Sequence, residues 1–336
     1  MRITLKQIAE QVGVSVNTVS LALRNMPGVN AATKEQIFSA ANQLGYVFPK
    51  EKLKNPKNLC LVSTRPHLED SYFYMAFQQL IVDHAQECGY HMLVKDNDFF
   101  DTDQAELRQR LNTNSICGVL ILGDIEEKIA LHILQCSVPV VATGTRYIGL
   151  NISTYIEDND QVAYQAVRYL YDQGLRKIGF IGDPLYSVSF MARYQGYCGA
   201  LKTLDLPYDE QFLFLKMRPG IMNSLDKATG MFKAIQQLPE AFFCANDYLG
   251  LIAIKVFHNL GISVPKDISL VGVDNSPLGK IAIPSITSVD VHCHRQAFLS
   301  VNKLISFVEG TPYDSLQVLV PSSLCIGESV RLGAGE

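Results

Sequence analysis

The chain has 336 residues, 48% of them hydrophobic, with eight cysteines and a formal net charge of −4. No apolar run approaches the roughly 20 residues needed to span a bilayer, and the opening MRITLKQIAEQ lacks the apolar core of an export leader. These features imply two or three domains in a cytoplasmic protein with no membrane partner. The cysteines sit singly, many within apolar segments and with no CxxC pair, which favours reduced core thiols over a zinc site or disulfides.

Charge is unevenly placed. Residues 1–57 carry eight Lys/Arg against three Glu, a net +5 that leaves −9 for the remainder. A basic head on an acidic body points to a polyanionic partner for the head alone, the plainer alternative being a solvated arm. Within the head, Leu5, Ile8, Ala9 and Val12 fall at helical spacing behind Thr4, a capping residue, and Gly13 permits the left-handed backbone that ends the helix. Ser15 is placed to cap a second helix, with Val19, Ala22 and Leu23 turned inward and Val16, Asn17 and Thr18 outward at its N-terminus. A third helix is expected from about Ala32 to Leu44, with Ile37, Phe38, Ala41 and Leu44 inward. Two short helices about a tight turn, closed by a third, describe a helix-turn-helix whose second helix presents side chains to a DNA major groove.

The stretch YVFPKEKLKNPKNL that follows, with two prolines and five charges, reads as a domain boundary. Beyond it, short aliphatic runs (LCLVS, HMLV, GVLILG, VPVVAT, KIGFIGD, FLFL, AFFCAN, SLVGVD) alternate with amphipathic helical stretches such as AFQQLIVDHAQECG and NDQVAYQAVRYLYDQG. That alternation implies parallel sheets covered on both faces, and the cadence restarts near Asp158, giving two similar lobes. Ligands of such sheets bind beyond the carboxyl ends of the strands. Those ends carry Thr64-Arg65, Asp96-Asn97, Asp183, Asn246-Asp247 and Asp274-Asn275, with Tyr72, Phe73 and Tyr74 opening the first helix. Carboxylates, amides and arginine beside aromatic faces suit a polyhydroxylated ligand, although any single one serves equally as a loop cap. The HCH triplet at His292–His294 is a weak metal signal, GFIGD lacks the dinucleotide fingerprint, and no nucleophile elbow, P-loop or HExxH occurs. No cofactor, metal or catalytic residue is therefore expected.

The segments TLKQIAEQVGVSVNTVSLAL and PGVNAATKEQIFSAANQLGY closely resemble the headpiece of the lactose/galactose repressor (LacI/GalR) family of bacterial regulators, nearly continuously from Thr4 to Tyr46. The resemblance implies that Val16 and Asn17 contact bases and that Ser15, Thr18 and Ser20 hold phosphates, with Thr4, Leu21 and Asn25 on the same DNA-facing surface. The family commonly has Arg where this chain has Leu21, so a bidentate guanine contact is lost and the operator should differ. Related repressors place a hinge helix next, with a leucine wedged into the minor groove. Here Leu53, with Lys50 beside it, either plays that part or belongs to a plain tether.

The blocks IEDNDQVA, RKIGFIGDP, RYQGYCGAL, FCANDYLGLIAIKVFHNLGISVPKDISLVGVDN and PSITSVDV are similar to successive parts of the family's core, itself like periplasmic sugar-binding proteins. They imply ligand contacts from Arg193, Asp274, the Asn246-Asp247 pair and the aromatic lip Tyr72, Phe73 and Tyr74. The expected fold is an all-α helix-turn-helix headpiece (1–48) and a hinge (49–57) ahead of an α/β periplasmic-binding-protein-like core of two doubly wound parallel-sheet lobes. Its N-terminal lobe takes 58–156 and 286–318 and its C-terminal lobe 157–285 and 319–336, with crossings near 157, 285 and 319. The expected activity is that of a nucleoid-associated repressor: a homodimer on a pseudo-palindromic DNA operator, controlled by a small carbohydrate effector, and not an enzyme. The alternative is a sugar-binding protein or sugar-modifying enzyme with an incidental basic head.

Overall fold

A computed structural model of the chain describes residues 4–23, 29–44, 58–63, 71–219, 225–233 and 237–333. It divides into two compact units, 1–55 and 56–336.

The first unit holds α1 (Leu5–Val12), α2 (Val16–Leu23) and α3 (Ala31–Leu44). Its core is Ile8, Ala9, Val19, Ala22, Ile37, Ala40 and Ala41, all buried, so each helix contributes one apolar stripe. The Thr4 N–H donates to Gln7 Oε1 at 2.8 Å, fixing the start of α1. Gly13, at φ +74°, ends it with its N–H returned to the Ala9 carbonyl. The Thr18 N–H donates to Ser15 Oγ at 3.0 Å, the cap expected for α2, and Thr33 N–H to Asn30 Oδ1 at 2.8 Å opens α3 in the same manner. The expected inward side chains of Leu23, Phe38 and Leu44 lie outside the described residues.

The second unit runs β1 (Asn58–Ser63), α4 (Ser71–Glu87), β2 (His91–Lys95), α5 (Asn97–Phe100), α6 (Gln104–Thr113), β3 (Ile116–Leu122), α7 (Glu127–Leu134), β4 (Val140–Thr143) and β5 (Ser153–Glu157). It continues with α8 (Asn159–Asp172), β6 (Ile178–Ile181), α9 (Val188–Thr203), β7 (Leu213–Phe214), α10 (Leu225–Lys233), β8 (Ala241–Cys244), α11 (Asp247–Asn259), β9 (Ser269–Val273) and α12 (Pro277–Ile281). It closes with β10 (Thr287–Asp290), α13 (Cys293–Val308), β11 (Gln317–Val320) and β12 (Ser323–Cys325).

Two six-stranded sheets result, ordered β11-β5-β4-β3-β1-β2 and β12-β10-β9-β8-β6-β7. The first is parallel throughout, and in the second only β12 runs antiparallel, against β10. Strands such as β3, β4, β8 and β9 are buried almost throughout, as sheets covered by helices on both faces require.

The chain passes between the sheets three times. After β5 it enters α8, which lies on the second sheet. The second passage falls later than the expected 285: β10 registers Thr287 against Val271 of β9, so 286–290 belong to the second lobe, and the return comes between Asp290 and α13. The third also moves. Val320 of β11 pairs with Glu157 in the first sheet, so the change comes at 321–322 rather than 319.

Candidate functional site

On the first unit, Val16 is 46% exposed, Ser15 and Asn17 are exposed, and Thr18, Ser20 and Leu21 are half-buried around the start of α2. Thr4 is exposed at the start of α1. Ser15 and Thr18 share a hydroxyl–hydroxyl bond of 2.8 Å, which fixes both side chains beside that helix N-terminus. Asn17 makes no side-chain hydrogen bond among the described residues, so its amide is available for a base edge. Asn25, Lys50 and Leu53 lie outside the described residues, as do Thr64 and Arg65.

In the second unit the strand ends of the two sheets meet around Arg193, on α9. Its guanidinium is buried and donates in three directions: Nε to Asn159 Oδ1 at 2.9 Å, Nη1 to the Ala245 carbonyl at 2.7 Å and Nη2 to Glu157 Oε1 at 3.1 Å. Asp274 Oδ1 lies 3.6 Å from the same Nη2. Glu157 also accepts from the Ser189 hydroxyl at 2.9 Å and the Gln296 amide at 3.3 Å. One planar cation thereby ties the end of β5, the start of α8, the end of β8 and the end of β9.

Asp274 itself is held in the left-handed region, φ +101°, with Asn275 behind it at +47°. Such a turn persists only where its surroundings over-determine it. They do: the N–H groups of Asp274, Asn275 and Ser276 donate in turn to the Val289 carbonyl (2.9 Å), Ser288 Oγ (2.9 Å) and Asp247 Oδ2 (2.7 Å).

Asp247 corrects its sequence-based assignment. It does not line the cleft. Its other oxygen accepts from the Ser288 hydroxyl at 2.6 Å, and a Cβ built on Gly272 or Gly279 would come within 2.2 or 2.8 Å of its carboxylate. Two glycines let β9 and α12 close on this side chain, which braces the strained turn. Burial pushes its carboxyl up to about 6, against the pull of the Ser288 and Ser276 hydrogen bonds.

Of the other expected contacts, Phe73, Tyr74, Arg193, Asn246 and Asp274 border one small cavity of about 30 Å³. Asn246 spends its Oδ1 on the Leu249 N–H at 3.0 Å, capping α11. Tyr72 stands apart, 63% exposed, on a neighbouring cavity of about 420 Å³ that also takes in Phe73 and Asp274. Asp183 is a loop cap, accepting from the Leu185 N–H at 2.9 Å, with Arg218 at 3.5 Å.

The sequence reading missed Glu157, Asn159, Ser189 and Gln296, which complete the arginine's surroundings. It also missed Asp124, which follows β3 in the first lobe. There its carboxylate accepts from the Thr145 hydroxyl and, at 2.8 Å, from the Val188 N–H that opens α9 in the second lobe. Glu157 and Asp124 both stand at carboxyl ends of strands, so the same positional rule finds them once those strands are recognised. Phe73 packs on both lobes' cores, with edge-on contacts to Tyr74 (5.3 Å) and Phe77 (6.1 Å).

Among the described residues no group of three or more His, Cys, Asp or Glu is arranged to hold a metal, and no helix is long and apolar enough to cross a membrane.

Residues 4–48 match the bacterial regulatory proteins of the lacI family, and residues 167–330 match the periplasmic binding protein-like domain. The chain thus joins a lacI-family DNA-binding segment to a periplasmic binding protein-like segment. Two full-length relatives agree. The chain is similar to the HTH-type transcriptional repressor CytR of Escherichia coli (strain K12), 29% identical over 98% of this chain and 96% of that one. It is also similar to the NTD biosynthesis operon regulator NtdR of Bacillus subtilis (strain 168), 26% identical over 97% and 99%. Among solved structures, the transcriptional regulator CelR–cellobiose complex superposes with a TM-score of 0.71 at 25% identity, covering 98% of this chain and all of that one. All three are regulators by name, which favours the regulatory reading over that of a sugar-binding protein or sugar-modifying enzyme with an incidental basic head.

Proposed function

We propose that the chain is a LacI-family regulator that represses transcription as a homodimer on a pseudo-palindromic operator, with its operator affinity set by a sugar-class effector bound between the lobes of the core. One observation carries the effector half of this reading: Arg193, Glu157 and Asp274 converge, buried, where the two sheets meet, and Asp124 reaches from one lobe to the first turn of a helix in the other. A cleft held by one arginine network and one carboxylate–amide contact can be kept closed or released, and an effector that binds one of the two better biases that equilibrium. The cellobiose in the structure of CelR supports a carbohydrate as the class of effector.

For the DNA half, the exposed Val16-Asn17 tip and the Ser15–Thr18 hydroxyls at one helix N-terminus offer both base-reading and phosphate-holding groups. The segment 49–57 serves as the hinge in this reading, with Leu53 either its DNA-wedging residue or part of a plain tether. A dimer is supported by exposed apolar side chains on the core, among them the neighbouring Ile281 (75%) and Ile283 (90%), and doubling a small headpiece raises specificity. The reading places the protein in the cytoplasm, on the nucleoid, without enzymatic activity.

The test is paired. Selection from random duplexes with the full chain should return a site with two-fold symmetry, and a panel of sugars and nucleosides should contain a compound that raises the melting temperature and changes affinity for that site. Asymmetric or random selected sequences, or a stabilising compound without effect on DNA affinity, would contradict it.

A further inference from the structure

The inner cavity at Arg193, about 30 Å³, matches the volume of roughly one water molecule, whereas the cavity beside it, about 420 Å³, falls in the range of small-molecule sites. The larger one is bounded by the first turns of α4 in one lobe, the turn after β9 and α12 in the other, and the start of α13. It contains two carboxylates, and both are already engaged. Asp274 faces Arg193, while Asp290 accepts from the Asn275 amide at 2.9 Å and the His292 N–H at 2.7 Å, with His292 Nδ1 at 3.5 Å. Its two permanent cations, Lys280 and Arg295, make no ion pair among the described residues. The two acids are thus held by hydrogen bonds or by Arg193, and among the described residues the two outer cations are left without a carboxylate partner, which favours a guest that carries negative charge. Tyr72 and Phe73 supply an apolar wall for a ring on the same cavity.

We propose that the effector carries an anionic group, a carboxylate or a phosphate, which Lys280 and Arg295 hold in this outer cavity while Tyr72 and Phe73 lie against its ring. The inference rests on the effector reading above and narrows it from sugars in general to sugar acids or sugar phosphates. Because the cavity has walls from both lobes, an anion seated there stabilises one relative position of the lobes.

The full chain is to be titrated by calorimetry with glucose, glucuronate and glucose 6-phosphate at low and high salt. The expected result is binding of at least one of the two anionic sugars, weakened by salt, with glucose at least ten-fold weaker. Which of the two binds separates carboxylate from phosphate recognition. K280M and R295M, with melting temperatures near that of the parent, should each weaken that binding by roughly ten- to a hundred-fold. Glucose binding as well as either anion, neither anion binding, or both variants retaining parental affinity would overturn the proposal. Tight glucose binding that shifts operator affinity would overturn the anion while leaving the sugar-regulated repressor intact.

Discussion

Asp247→Asn isolates the energetic cost of the brace beneath the cleft turn. The carboxyl of Asp247 is buried, accepts from Ser276 N–H and Ser288 Oγ–H, and has its pKa raised by burial from 3.8 to about 6. A carboxyl with a folded pKa above its unfolded one binds its proton more tightly in the folded chain. Its stabilising contribution is therefore full below pH 3.8 and is lost as pH rises through about 6. The shift of about two units corresponds to roughly 3 kcal/mol of stability lost across that window. Asparagine does not titrate, so the variant should lack this term whatever constant offset its altered hydrogen bonds introduce. Urea unfolding of both proteins at intervals from pH 4 to pH 7 measures the difference directly. Wild type should lose roughly 2 kcal/mol relative to the variant between pH 4 and pH 7, the larger part of the full window. A constant difference, or wild type gaining relative stability with pH, would refute the reasoning.

Arg193→Ala leaves Glu157 and Asp274 buried without their cation, so it should cost about 3–5 kcal/mol and lower the melting temperature by roughly 10 °C; a change under 2 °C would show the network to be dispensable. Asp124→Ala removes the acceptor that crosses to the Val188 N–H, and its ligand-free radius of gyration by small-angle scattering should exceed that of wild type. An unchanged radius would mean this contact does not hold the lobes. Asn17→Ala should weaken the selected operator by about 1–3 kcal/mol more than random duplex, whereas equal loss on both would make Asn17 a phosphate contact.

The headpiece was the most legible part of the sequence because its signals are local. Thr4, Gly13 and Ser15 each act within four residues along the chain, and the cap and turn they imply are the ones observed. The buried strands were equally plain as aliphatic runs. The strands β5 and β10, written STYIE and TSVD, lack such runs, and β11 and β12 are short strands at the sheet edges. Without these four the points where the chain changes lobes could be placed only within several residues. The site divides in the same way. Arg193 and Asp274 announce themselves by position at strand ends and by resemblance, but the guanidinium's acceptors come from β5, α8 and the residue after β8, and the groups that hold Glu157 in place come from α9 and α13. Asp247 was misread because the sequence shows its place at a strand end and not the two glycines that draw β9 and α12 over it.

The central claim is that DNA affinity resides in the basic head, +5 over residues 1–57, and is governed by an acidic core. Its most direct test is the salt dependence of binding to the selected operator, measured side by side for the full chain and for a fragment comprising residues 58–336. The account predicts that the full chain's logarithm of affinity falls linearly with the logarithm of salt, with a slope of several units from the phosphates contacted, and that the folded fragment does not bind. Salt-dependent, operator-specific binding by the fragment would contradict it.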